Sequence, residues 1–250
     1  VKKIYVPMIR YGDREFDEGF IGWGFQNAEE QTHDAQGILR IAGGENLKIL
    51  DIACGLGGYH KIWMDVGHSI TGTDLSETFI QMAQTTNPGA VYRVEDFYEL
   101  KEESLYDMVT MIDTPLEDED VPRNAYRALK NYGMFVFQAS NPNYDHIRGN
   151  CLENRRTWKE YDNRTFLLTR NEYNKELEVW EYEEWRLNLE TGDVVVEYNS
   201  SHHLSFSRIV DILMSVGFVT VDFLDTDGRP YTTSRNEPKN YFCIARKGKE

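Results

Sequence analysis

Residues 48–58, KILDIACGLGG, constrain this chain more than any other stretch. Lys48, Ile49 and Leu50 open an apolar run that stops at Asp51 and turns through Ala53, Cys54, Gly55, Leu56, Gly57 and Gly58. The pattern predicts a buried strand feeding a tight corner. Glycines there allow positive φ and let another group come close to the backbone, because no Cβ blocks it. Residues 59–66 then predict a helix whose N-terminal amides face the same spot. A second strand over residues 69–73 ends at Asp74. A glycine corner after one strand and an acid closing the next is how an open α/β sheet holds a nucleoside, the carboxylate accepting from ribose hydroxyls.

The spacing narrows the ligand. A dinucleotide fingerprint reads G-x-G-x-x-G and aims a helix N-terminus at a pyrophosphate. Here the order is Asp-x-Ala-Cys-Gly-x-Gly-Gly. A carboxylate at the end of the strand repels a phosphate but suits a ligand that carries an ammonium group. The segment resembles motif I of class I S-adenosylmethionine-dependent methyltransferases, and the downstream pieces follow in the same order and spacing.

Beyond Asp74 the chain alternates helix and strand. Residues 75–84 predict a helix opened by Asp74 or Ser76, 90–94 a third strand, 106–112 a fourth, 121–130 a helix closed by Asn131-Tyr132-Gly133, and 134–139 a fifth strand. That rhythm argues a parallel sheet with helices on both faces. Past Asn141 it changes. Residues 164–169, 177–189 and 194–199 are strand-like, with Thr191-Gly192-Asp193 as a hairpin turn. A helix over 205–215 and strands over 218–224 and 241–246 follow. The fold expected is thus α/β: a Rossmann-like seven-stranded methyltransferase sheet with an antiparallel β insertion after its fifth strand. The division expected is 1–140 as an N-terminal lid and donor-binding core, 141–204 as a substrate-binding insertion, and 205–250 as the helix and strands that complete the sheet.

Composition sets the partners. The 250 residues hold 27 Lys and Arg against 42 Asp and Glu, a net charge of −15. Such a surface repels phosphate backbones, so nucleic acid is disfavoured. Cys54, Cys151 and Cys243 lack metal-type spacing and fit a reducing compartment. No apolar run reaches membrane-spanning length. A cytoplasmic protein acting on a small molecule is the expectation, with the insertion either roofing the active site or pairing with a second subunit.

The resemblance implies S-adenosylmethionine as cofactor and S-adenosylhomocysteine as product, and it distributes roles. Asp51 sits near the ammonium group, Ala53, Gly55 and Gly57 give backbone contacts, Asp74 binds the ribose diol and Leu75 packs on adenine. Asp96 accepts from the adenine amino group beside Phe97, with a plain surface acid in a loop as the rival reading. Ile112 ends the fourth strand. Tyr11 and Trp23, with Tyr144, could offer aromatic faces to the sulfonium; ordinary core packing is the equal alternative for Tyr11 and Trp23. Asp113 points to where a methyl acceptor meets the donor, and could orient an amine or take its proton; capping the turn before Pro115 is the equal alternative.

Asn143-Tyr144-Asp145-His146-Ile147 is similar to a segment of glycine and sarcosine N-methyltransferases, and His203-Leu204-Ser205-Phe206 after a strand-rich insertion is similar to amino-sugar N,N-dimethyltransferases. Asn143 and Tyr144 thereby become substrate-binding candidates, and Tyr144 and His203 join Asp113 as catalytic ones. The arginine that holds the acceptor carboxylate in the glycine enzymes is replaced here by Asn141-Pro142, and an acid stands nearby. An amine on a larger, neutral or cationic molecule is favoured. O-methylation of a hydroxylated metabolite and non-catalytic donor binding are the rivals, and the glycine spacing speaks against a nicotinamide oxidoreductase. His202 and His203 have no third ligand at useful spacing, so no metal is expected.

Overall fold

The computed structural model describes residues 3–7, 28–140, 155–162, 164–174, 176–202, 204–232 and 240–249. Its centre is a seven-stranded sheet. Strands β2 (Lys48–Ile52), β3 (Ser69–Asp74), β4 (Val91–Val94), β5 (Tyr106–Met111), β6 (Leu129–Ser140), β11 (Phe218–Leu224) and β12 (Asn240–Lys247) lie in the order β11-β12-β6-β5-β2-β3-β4. The pairings from β4 to β6 are parallel, whereas β12 runs antiparallel to both β6 and β11. The Rossmann-like seven-stranded sheet expected from the sequence is the sheet observed.

Both faces are covered, as parallel strands require. On one face Leu50, Ile52, Val109, Met111, Phe135 and Phe137 pack with helices α4 (Asp120–Ala128) and α5 (Phe206–Val216). On the other, Ile49, Met108, Val136 and Ile244 meet α1 (Ala28–Ala42) and α2 (His60–Asp65). Trp63 of α2 is fully buried and donates its indole N–H to the Ala35 carbonyl of α1 at 3.1 Å, which ties the two helices together. Helix α3 (Glu77–Thr86) starts two residues later than the periodicity suggests, because the Ser76 hydroxyl caps it by accepting from the Phe79 amide.

The region around residue 130 departs from expectation. Helix α4 ends at Ala128 and β6 begins at once, so Leu129 pairs with Tyr106 and Asn131-Tyr132-Gly133 is part of an irregular strand. Tyr132 takes a positive φ of 65°, and a Cβ on Gly133 would lie 2.9 Å from the Lys130 carbonyl oxygen. Lys247, buried on β12, locks this junction by donating to the Tyr126 and Leu129 carbonyls. No local pattern reports that long-range donor.

A second, five-stranded sheet has the order β1-β10-β9-β8-β7. It combines β7 (Arg155–Asp162), β8 (Thr165–Asn174), β9 (Val179–Asn188) and β10 (Val194–His202), all antiparallel, with β1 (Lys3–Pro7) running parallel to β10. Strands β1 and β7 were not expected. The charged run RRTWKEYD hides β7, and β1 finds its partner nearly two hundred residues away. The expected hairpin at Thr191-Gly192-Asp193 is present: Gly192 has φ 73° and the Asn188 side chain accepts from the Glu190 and Thr191 amides.

Candidate functional site

The carboxyl ends of β2, β3, β4 and β5 meet along one edge. Register aligns Ile52 with Thr73, Asp74 with Val94 and Asp51 with Thr110. The residues that follow, Ala53, Leu75, Glu95 and Ile112, therefore emerge side by side where such sheets bind ligands.

The corner after β2 holds three left-handed residues, Ala53 (φ 53°), Gly55 (φ 53°) and Gly57 (φ 67°). A non-glycine residue at positive φ is uncommon and needs support from its surroundings. That support is local. The Cys54 amide donates to the Thr73 carbonyl, the Gly57 amide to the Cys54 carbonyl, and the Gly55 amide to Asp74 Oδ2 at 2.8 Å. A Cβ on Gly55 would meet nothing within 4 Å, so the corner presents an open cradle there. Gly57 is the opposite case: a Cβ would lie 2.6 Å from the Tyr92 hydroxyl.

Asp74 is buried, and its carboxylate spans the gap between corner and helix. Oδ2 accepts from Gly55, and Oδ1 accepts from the Ser76 amide at 2.9 Å. Beside it Leu75 is 46% exposed, an apolar side chain at the sheet edge. Asp96 caps the short 3-10 turn Phe97–Glu99 by accepting from the Tyr98 amide, and Phe97 is half-buried against the core. Ile112 is buried. Asp113 is exposed and holds a positive φ of 57°.

Asp51 lies deeper than these. It is 2% exposed, and both oxygens are held by protein groups: Oδ1 accepts from the Thr110 hydroxyl at 2.5 Å, and Oδ2 pairs with His60 Nε2 at 2.9 Å. His60 Nδ1 lies 2.6 Å from the Tyr92 hydroxyl. Burial pushes the Tyr92 phenol above its ordinary value, with Asn87 donating to it and opposing that rise. Burial, reinforced by Asp51 and Asp74, also pushes the Cys54 thiol well up, which keeps it protonated and unreactive.

Of the residues singled out from sequence, Asp51, Ala53, Gly55, Gly57, Asp74, Leu75, Asp96, Phe97, Ile112 and Asp113 gather along this edge. Tyr11, Trp23, Asn143, Tyr144 and His203 lie outside the described residues. Sequence reasoning passed over His60, Tyr92, Asn87 and Thr110. One signal was available: an aspartate inside an apolar strand must find partners, and a histidine at the start of the next helix is within reach.

The corner fits the adenosine and amino-acid ends of S-adenosylmethionine: an open glycine cradle, an acid at the neighbouring strand end and an exposed apolar side chain beside it. Among the described residues, no group of three or more His, Cys, Asp or Glu side chains could hold a metal ion, and no helix is long and apolar enough to cross a membrane.

Comparison with known proteins agrees with this geometry. Residues 50–137 match a methyltransferase domain. A curated malonyl-[acyl-carrier protein] O-methyltransferase of Buchnera aphidicola is 34% identical over 55 residues; the match spans 22% of this chain and 22% of that enzyme. Among solved structures, an S-adenosylmethionine-dependent methyltransferase from Clostridium acetobutylicum superposes with a TM-score of 0.68 at 14% identity, covering 93% of this chain and 99% of that one. The sugar N-methyltransferase KedS8 from Streptoalloteichus superposes with a TM-score of 0.63 at 15% identity, covering 98% and 96%. Residues 50–137 thus match a methyltransferase domain, and the chain carries the fold of S-adenosylmethionine-dependent methyltransferases.

Proposed function

We propose that this cytoplasmic protein transfers the methyl group of S-adenosylmethionine to an amine nitrogen on a small molecule, without a nucleic-acid partner. The observation that carries the reading is the glycine corner clamped by Asp74, with Gly55 open and Leu75 half-exposed beside it. Asp74 binds the ribose diol, Leu75 and Phe97 flank adenine, and Asp96 accepts from its amino group. Backbone groups of Ala53, Gly55 and Gly57 hold the amino-acid end near Asp51, and Ile112 closes the floor. Tyr11 and Trp23 supply the aromatic lid of the 1–140 segment.

When bound, the cofactor supplies an activated methyl on a sulfonium, so the protein's work is alignment and exclusion of water. The acceptor nitrogen must be neutral to attack. Asp113 stands exposed at the β5 end, where its carboxylate can accept the amine's proton or hold the ammonium form in place. Tyr144 and His203 are the other candidates for that proton, and Asn143 for orienting the acceptor. Insertion 141–204 shapes the acceptor side, while 205–250 completes the sheet. The fold shared with a sugar N-methyltransferase supports nitrogen as the target.

O-methylation is the second reading, supported by the partial match to an O-methyltransferase. The test is incubation with S-adenosylmethionine and a panel of amines, amino sugars and phenols, reading S-adenosylhomocysteine by mass spectrometry. Turnover with amines supports the proposal; turnover with phenols alone replaces it with the second reading. Tight donor binding with no turnover across the panel would leave a non-catalytic binder.

A further inference from the structure

Behind the corner runs a buried chain of polar side chains, of which only Asp51 has a part in the roles above. It starts at Thr110 on β5, passes through Asp51 on β2, His60 on α2 and Tyr92 on β4, and reaches Asn87 at the end of α3. Asn87 closes it by donating to the Gly57 carbonyl at 3.1 Å. The chain thus begins just before the corner and returns to its far side.

Direction follows from the donor and acceptor inventory. Ionised Asp51 only accepts, so His60 Nε2 carries the proton that faces it. Nδ1 of a neutral ring is then an acceptor, and the Tyr92 hydroxyl donates to it. The Tyr92 oxygen in turn accepts from Asn87. Among the described residues the buried Asn87 Oδ1 has no hydrogen-bond partner, while its amide nitrogen is engaged.

Contact with the corner is direct. A Cβ on Gly57 would fall 2.6 Å from the Tyr92 hydroxyl, 2.9 Å from His60 Nδ1 and 3.1 Å from Asn87 Nδ2, so the bare Cα of Gly57 rests against the relay. On the opposite side a Cβ on Gly72 would lie 2.8 Å from Tyr92 Cε1 and 2.9 Å from His60 Cε1. The relay is wedged between two glycines. Any movement of it is passed to the left-handed backbone at Gly57, because closely packed interiors transmit displacement.

We propose that His60 and Tyr92 are positioning residues for the methyl donor. They hold the Asp51–Gly57 corner in its left-handed conformation from behind, so that Asp51 acts on the donor through the backbone it anchors. The proposal rests on the corner being the donor site, as argued above. Alignment of the donor depends on backbone placement to a fraction of an ångström, so loosening the corner weakens donor binding before it touches the acceptor.

The test compares wild type, Tyr92→Phe, His60→Gln and the double variant, each as the full chain, by calorimetric titration with S-adenosylhomocysteine and by steady-state kinetics. Tyr92→Phe removes a single hydroxyl and leaves the Asp51–His60 pair intact; His60→Gln keeps a donor for Asp51 but offers Tyr92 no ring nitrogen. Both are expected to raise the donor Kd and KM about fivefold to twentyfold. kcat at saturating donor and the acceptor KM should change less than twofold. The double variant is expected to be no weaker than the worse single one, since both break the same link. A purely structural role predicts a lower melting temperature with an unchanged Kd in the folded fraction, and that result overturns the proposal. Independent, additive effects in the double variant overturn it as well. If wild type itself binds no donor, the reading of the corner fails and the relay with it; if wild type binds and the variants bind equally, the relay alone is wrong.

Discussion

Strand β6 of the seven-stranded sheet is buried along residues 133–137, whereas strand β7 of the five-stranded sheet leaves residues 156–160 exposed, with Trp158 at 70%. The first sheet is held by apolar burial on both faces and by buried polar contacts such as Asp74 to Gly55. The second carries ion pairs between half-exposed side chains: Arg170 with Glu183, and Arg186 with Glu184 and Glu197. Burial makes geometry strict, because a displaced atom has no room and an unpaired polar group has no water. Exposure makes it lenient. The half of the molecule proposed to bind an invariant donor is the strict one, and the half proposed to meet the acceptor is the lenient one.

Breaking that contrast takes substitutions on both sides. Gly57→Ala should do the most harm, since its φ of 67° disfavours a side chain and its Cβ would strike the Tyr92 hydroxyl. Overpacking of this kind costs about 1–3 kcal/mol, and the donor should bind at least about a hundredfold more weakly by calorimetry, about 2.7 kcal/mol. Asp74→Ala comes next. It removes the acceptor of both the Gly55 and Ser76 amides, each worth about 1–3 kcal/mol when left unsatisfied. Donor affinity should fall at least about tenfold, and unchanged affinity would end the assignment of the corner.

A pH experiment sharpens the same contrast inside the strict half. His68 is buried, its Nδ1 accepts from the Leu47 amide, and burial lowers its pKa from the ordinary 6.5. The unfolded chain takes up a proton below that value which the folded state resists, so acid favours unfolding. The contribution of His68 is present above pH 6.5 and is lost as pH falls toward the folded value. The gap in melting temperature between wild type and His68→Asn should shrink from pH 8 to pH 5, roughly across the range in which histidine titrates. A constant gap would show that folding leaves the proton uptake of this histidine unchanged.

The smallest effect belongs to the lenient half. Arg186→Ala breaks pairs with Glu184 and Glu197 on a half-exposed sheet face. Exposed pairs contribute about 0–1 kcal/mol, so the change in urea midpoint should be slight and donor affinity untouched. A large loss of stability would mean that the second sheet is as strictly built as the first.

Strands β2 to β5, the glycine corner and the acid at Asp74 were legible because their signals are local. Apolar runs end at turn residues, and a glycine marks the place where a Cβ would collide or a φ must be positive. Strands β1 and β7 were not legible: Lys3–Pro7 is a strand only because Val194–Tyr198 lies beside it, and RRTWKEYD is too charged to announce a buried face. The start of β6 at Leu129 was missed for a similar reason, since its partner Tyr106 and its lock Lys247 lie far along the chain.

The candidate site divides the same way. The chain alone determined that an acid-bounded glycine corner would close the first core strand and that another acid would end the next, because helix, turn and strand preferences act over a few residues. Only the tertiary structure decided where those acids point. Asp51 faces inward to His60 and Thr110, while Asp74 clamps the corner from its neighbour strand, since hydrogen-bond partners are chosen by distance in space and burial forbids leaving either carboxylate unpaired.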